Sequence, residues 1–142
     1  MLEHIYNETI TILNKLRRAD GDGKVDLWYK TVLHNVAWYT ASARSAGGNS
    51  VYIGTYITIL VPFNERYVPY INWKKIDVSE RGDFFTISNN DYIIKGEVKE
   101  DITADNVVAV MQKYGEDVCL VKHHNENHNR FGAKVQLKIQ GV

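Results

Sequence analysis

The densest collection of groups able to hold a metal or move a proton is His123-His124-Asn125-Glu126-Asn127-His128. Imidazoles beside a carboxylate are zinc ligands, and His124 and His128 have the i, i+4 spacing that brings two rings together on a helix. The zincin pattern places Glu directly after its first His, and Asn125 occupies that position. The segment is Asn-rich and sits between two strand-like runs, so it reads as a polar turn. A His-rich turn of this kind is compatible with weak pH sensitivity or adventitious metal binding, and no dedicated metal site is expected.

Asp20-Gly21-Asp22-Gly23-Lys24-Val25-Asp26 invites comparison with a calcium loop. The EF-hand pattern needs an acid or amide at its fifth position, Gly at its sixth and Glu at its twelfth. Counted from Asp20, those places hold Lys24, Val25 and Thr31. Asp and Gly accept positive φ, so a hairpin turn is expected instead. The single cysteine, Cys119, lies in Val118-Cys119-Leu120-Val121 and reads as a small buried thiol. No Gly-x-Ser-x-Gly elbow is present, and Gly47-Gly48 lacks the Lys-Ser/Thr of a phosphate loop. Glu97, Glu100, Asp101 and Asp105 gather around a helix start, where they favour its dipole. These readings leave no catalytic residue, no cofactor and no metal to expect, and point away from an enzyme.

A chain of 142 residues, 44% of them hydrophobic, suits one domain over residues 1–142 with its own core. Its 17 basic and 17 acidic residues cancel, which argues against a general nucleic-acid binder. The same balance leaves association between copies unopposed by charge. Met1-Leu2-Glu3-His4-Ile5-Tyr6 has no basic region followed by an apolar stretch, so no signal peptide is expected. The longest apolar-rich run, residues 51–63, is broken by Gly54, Thr55 and Thr58. It falls short of the roughly 20 residues that cross a bilayer, so a soluble protein made and used inside a cell is expected.

Nine Tyr, three Trp and four Phe among many Val, Ile and Thr favour strands. Glu8-Thr9-Ile10-Thr11-Ile12 alternates as a half-buried first strand. Residues 25–39 predict a long strand or a bent pair, with Trp28, Val32, Val36 and Trp38 on one face and Lys30 and His34 interrupting it. Residues 40–50 read as a flexible loop by composition. Residues 51–61 are the clearest strand, with Val51, Ile53, Ile57, Ile59 and Val61 on one face and Pro62 as its stop. Residues 64–82 read as an excursion outside the barrel with one helical turn. Short strands resume at 84–87 and 92–95 around an Asn89-Asn90-Asp91 turn. Thr103 is placed to cap a helix bearing Val107, Val108, Val110, Met111 and Tyr114, with Gly115 ending it. Residues 117–122 and 133–139 close the chain as a hairpin. About seven antiparallel strands, one helix and long loops make a β-barrel or sandwich.

What this leaves is interaction surface. Tyr67, Tyr70 and Trp73 are aromatic residues in a polar segment, as in many protein interfaces. They equally suit folding back to cap the barrel. Arg44 marks a second mobile loop that a partner would order.

Thr9-Ile10-Thr11-Ile12-Leu13-Asn14-Lys15, then Trp28-Tyr29-Lys30-Thr31-Val32-Leu33-His34-Asn35-Val36-Ala37-Trp38, carry a resemblance. So do Phe84-Phe85-Thr86-Ile87-Ser88-Asn89-Asn90-Asp91-Tyr92-Ile93-Ile94-Lys95-Gly96-Glu97-Val98 and Asp101-Ile102-Thr103. In these stretches the chain resembles uncharacterised phage and prophage morphogenesis proteins of Gram-positive hosts. The resemblance covers most of the chain in order, and departs in residues 39–50 and 117–131. It implies a small β-barrel of the bacteriophage head–tail connector, a head-completion or stopper protein that closes the portal channel. A tail terminator or other neck protein is the nearest alternative. The implied partners are copies of itself in a ring, portal or adaptor and tail proteins, and packaged DNA in the channel, with no membrane. The implied place is the virion, after assembly in the host cytoplasm. A small nucleic-acid-binding β-barrel, stacking bases on aromatics, is the reading from a different class. A hydrolase with a His-centred metal site is a third.

Overall fold

Two buried faces on its first strand explain most of how this chain folds. The computed structural model describes residues 6–21, 23–47, 50–128, 130–132 and 134–142, and only the backbone of 41–47, 50–54 and 134. β1, Glu8–Leu16, has Ile10, Thr11, Ile12, Leu13 and Asn14 all at 0% exposure, where one covered face was expected. The cause is its place between two neighbours, with a core on one side and a helix on the other. Ile10 and Ile12 enter the barrel interior, while Leu13 faces outward against Val107 and Val110 of the helix.

The strands follow as β2 (Leu27–Gly47), β3 (Ser50–Pro62), β4 (Tyr92–Lys95), β5 (Val118–His128) and β6 (Lys134–Gly141). They close an antiparallel barrel in the order β1-β2-β3-β6-β5-β4. The expected β-barrel is therefore present, with six strands rather than about seven. Residues 84–87 make only a single bridge, Phe85 to Tyr67, and not a strand. Phe85 and Ile87 are still buried in the barrel core, so the segment fills the interior without joining the ladder.

β2 bends within its length. Ile10 pairs with Leu33 but Glu8 pairs with Val36, so the register shifts between them, and Asn35 has φ 60. Asn tolerates this left-handed backbone better than most residues. The shift breaks the expected single stripe of Trp28, Val32, Val36 and Trp38: Leu33 turns inward before the bulge and Val36 after it. β2 thereby pairs with β1 up to Val36 and with β3 from Ala37 onward. Two further expectations are overturned on the same ladder. Residues 40–47 are strand, paired with β3 to Gly47↔Ser50, and not a flexible loop. The polar segment 123–128 is likewise strand, paired with β6 across register shifts at Val121/His123 and Asn127/His128.

The helices are α1 (Tyr70–Trp73), α2 (Val78–Arg81) and α3 (Val107–Tyr114). Thr103 does not cap α3 with its side chain; its carbonyl accepts from Asn106 N (3.3 Å) and Val107 N (3.0 Å). Asn106 precedes α3 and accepts from Thr103 N at 2.7 Å. Gly115 ends the helix at φ 53, as expected. No helix among the described residues is long and apolar enough to cross a membrane.

Gly141 sits where two strands cross closely. A Cβ there would collide with the Leu120 carbonyl oxygen, and would stand 2.6 Å from Cys119 Sγ and 2.9 Å from the Leu120 carbonyl carbon. Backbone cannot yield as a side-chain tip does. Gly141→Ala is therefore expected to lower stability by about 3 kcal/mol, the upper end for overpacking, read as a fall in urea midpoint at unchanged m-value.

Candidate interaction surface

Residues 63–91 leave the barrel and return to it, and the aromatic side chains expected at a partner surface point mostly inward. One turn of helix puts positions i and i+3 on one side. In α1 those are Tyr70 and Trp73, so Ile71 faces out, at 62% exposure. Trp73 is 0% exposed. It meets Tyr29 edge-on with centroids 5.3 Å apart, and its Nε1 donates to the Phe84 carbonyl at 3.4 Å. The expectation that Trp73 meets a partner thus gives way to a capping role inside the chain.

Arg81 fastens the same cap. It is 6% exposed and lies 5.7 Å from the ring centroids of both Tyr29 and Trp73. Its guanidinium donates to Tyr29 Oη (3.1 Å) and to the carbonyls of Lys74 (3.1 Å) and Ile76 (2.8 Å). Those carbonyls follow α1, where backbone acceptors would otherwise lack partners.

Tyr70 is half-buried and ties α1 to the β1–β2 turn. Its hydroxyl donates to Asp20 Oδ2 at 2.7 Å, and Lys74 Nζ lies 3.3 Å from Asp20 Oδ1. The Tyr70 hydroxyl holds the Asp20 carboxyl below its ordinary range, and burial raises the tyrosine's own. Asp26 accepts from Arg18 N at 2.9 Å and pairs with Lys15 at 3.5 Å. These acids of the calcium-like stretch therefore brace the turn; Asp22 lies outside the described residues. Tyr67 is half-buried against the barrel core, its ring 5.8 Å from that of Phe85. Arg44 lies on β2 opposite Ile53, and its side chain is outside the described residues.

The apolar residues that do face outward from this region are Phe63, Ile71 and Val78, at 51%, 62% and 68% exposure. The i, i+3 pairing of Tyr70 with Trp73 was the available signal that Ile71 would be the exposed one.

The histidines fall on a strand, whose successive side chains leave opposite faces. His123 and His124 therefore cannot converge on one ion. Burial, and then the neighbouring His123, hold the His124 imidazole below its ordinary range. His128 Nε2 lies 3.5 Å from Glu126 Oε2. Among the described residues, no three His, Cys, Asp or Glu groups are placed to hold a metal. Cys119 is buried, and burial pushes its thiol up to about 11, which keeps it protonated at neutral pH.

One buried polar knot lies outside all the candidate motifs of the sequence. Asn14, at 0% exposure, donates through Nδ2 to the Thr86 carbonyl (2.5 Å) and to Asp91 Oδ2 (2.9 Å), and accepts from Thr86 N at 3.2 Å. Asp91, 2% exposed, also accepts from Lys15 N (3.1 Å) and Ser88 N (3.0 Å). An asparagine inside an apolar strand run was the signal for it. Asp91 lines a cleft of about 300 Å³ with Lys15, Arg17, Arg18, Asp26 and Ser88.

Burial pushes the Asp91 carboxyl up to about 6, against the N–H donors of Lys15, Asn14 and Ser88 that favour its ionised form. A carboxyl raised in the folded state binds its proton there more tightly than in the unfolded chain. Its stabilising contribution is then present below pH about 4 and is lost as pH rises through about 6. Relative to Asp91→Asn, the wild type is expected to lose about 3 kcal/mol across that interval. Paired urea titrations at pH 4 and pH 7 check this; a constant gap between the two proteins contradicts it.

Residues 5–142 match the model of one family, described as a family of unknown function (DUF6751). No curated protein and no solved structure matches the chain.

Proposed function

Since the chain belongs to the DUF6751 family of unknown function, we propose a role for it as a structural, non-catalytic subunit that assembles into a ring in a bacteriophage head–tail connector. The tier we propose is the head-completion or stopper protein, joining portal or adaptor to tail in the virion; tail terminator is the neighbouring alternative. The assembly part is supported by one observation above all. The β2–β3 hairpin continues beyond the barrel, with residues 41–47 and 50–56 paired only to each other among the described strands. Such a two-stranded ribbon is marginally stable in water alone, which favours a partner alongside it. The phage part rests on the stretches quoted above, from Thr9 to Thr103.

Two measurements test it. Portal, capsid and tail-tube genes beside this one, and a ring of this protein between portal and tail in electron micrographs of virions, are the expected results. A metabolic operon with no particle-associated protein overturns the proposal. Lys15, Arg17 and Arg18 in the cleft are the observation that favours a nucleic-acid-binding barrel. A salt-sensitive shift of single-stranded DNA by the purified chain would move the assignment there.

A further inference from the structure

The arm has a counterpart in the same sheet. β3 and β6 are its middle strands, β2 flanks β3, and β5 flanks β6. On the outer side of β2, β1 reaches only to Val36. On the outer side of β5, β4 reaches Leu120, and the last backbone bonds are at Val121, whose N–H donates to the Asp91 carbonyl and whose carbonyl accepts from Asn90 N–H. Beyond those points, among the described residues, no strand lies along residues 40–47 of β2 or residues 122–125 of β5 on these sides. The arm leaves the sheet past Gly141, where β6 ends opposite Ile57. From that same level β5 runs the other way, toward His128 opposite Lys134.

We infer that the β2–β3 arm of one copy lies along residues 122–125 of β5 in the next copy, continuing the sheet from subunit to subunit. The inference rests on the ring-subunit reading for the identity of the partner. A row of unpaired backbone N–H and C=O groups is a template for another strand, and main-chain pairing supplies the affinity. The chain holds both halves of that contact: a ribbon that lacks a third strand and an open edge at the far flank of the same sheet. Because the two patches differ, the contact is heterologous and repeats head to tail, as a closed ring requires. Zero net charge leaves the approach of identical copies unopposed. Lys122, His123 and His124 on the receiving edge discourage indiscriminate pairing, so that a partner of matched register is preferred.

Cysteine trapping on the full chain tests the contact directly. Single cysteines are placed in the arm (Ala41→Cys, Ser42→Cys or Ala43→Cys) and on the edge (His124→Cys or Asn125→Cys), and each arm variant is mixed with each edge variant. Disulfides need Cα atoms within about 7 Å, so only adjacent strands are captured. Native Cys119 is buried and stays silent. The expected result is a linked dimer in a mixture and none with either variant alone. Arm variants that link to themselves overturn the inference in favour of an arm-to-arm contact. A second protein replaces residues 42–55 with Asn-Gly. Ala41↔Tyr56 lies six residues along the ladder from Gly47↔Ser50, an even step, so the new turn meets the same class of pair. This shortened chain is expected to keep its urea midpoint and to lose ring formation. Rings that persist without the arm, or rings without any mixed disulfide, overturn the inference and leave the ring reading intact. Neither a ring nor a disulfide from the full chain removes both.

Discussion

Trp73→Ala is expected to lower folding stability by about 3–5 kcal/mol, the range for emptying a large aromatic from a core. The indole is wholly covered and contacts Tyr29 edge-on. Its loss leaves a cavity under α1 that neighbouring backbone cannot readily fill. It also removes one of the two rings flanking the Arg81 guanidinium, 5.7 Å away. A buried cation that loses part of its packing adds to the cost. Urea denaturation followed by tyrosine and tryptophan fluorescence reads the effect as a shift in midpoint. The same measurement separates two roles for this residue. A tryptophan serving a partner surface would leave the isolated chain's midpoint within about 0.5 kcal/mol of wild type, as surface substitutions do. Ile71→Ala supplies the comparison: at 62% exposure it is expected to fall within that narrow band.

Asn14→Ala is expected to cost about 3–5 kcal/mol by a different route. One side-chain amide here satisfies both the N–H and the C=O of Thr86, as a neighbouring strand would, and donates to Asp91 besides. Alanine leaves a buried backbone donor, a buried backbone acceptor and a buried carboxyl each short of a partner, at about 1–3 kcal/mol per orphaned group. Asn14→Leu should be as damaging, since volume is not what is missing. Amide hydrogen exchange at Thr86 gives the discriminating result: protection is expected to collapse there while β3 and β6 stay protected. Even loss of protection across the barrel would mean that Asn14 acts through packing alone.

The barrel was legible where a strand keeps one face to the core. From Gln136 to Gly141, β6 alternates half-buried and buried residues, and Pro62 and Gly115 stop their elements where expected. Legibility failed wherever a tertiary neighbour outweighed local composition. Residues 40–47 are small and polar enough to read as a loop, yet they form strand because β3 offers a continuous ladder to Gly47↔Ser50. Residues 123–128 read as a turn because Asn and His are poor strand formers, and β6 overrides that preference. Phe84-Phe85-Thr86-Ile87 has strand composition but pairs only through the one bridge at Phe85, and at Thr86 the Asn14 side chain takes the place of a strand partner. The bulge at Asn35 left no trace that a two-residue period could register, and it reverses the faces of β2. Among the surface candidates, composition found the right segment but not its orientation. Tyr67, Tyr70 and Trp73 were legible as capping residues only through their partners Phe85, Asp20 and Tyr29, which lie far away in sequence.

The strand order also sets a timetable. β1, β2 and β3 are joined by short connections and form a local meander. Both seams that close it come much later: β1 waits for β4, and β3 waits for β6, which ends at Gly141. Pairings so distant in sequence are the slow ones, because chain entropy is lost before any contact rewards it. During synthesis roughly 80 residues separate the end of β3 from the end of β6, about 4–16 s of elongation. For that interval Ile57, Ile59 and Val61 lack the β6 neighbours they have in the finished barrel, and apolar strands exposed in this way are prone to aggregate.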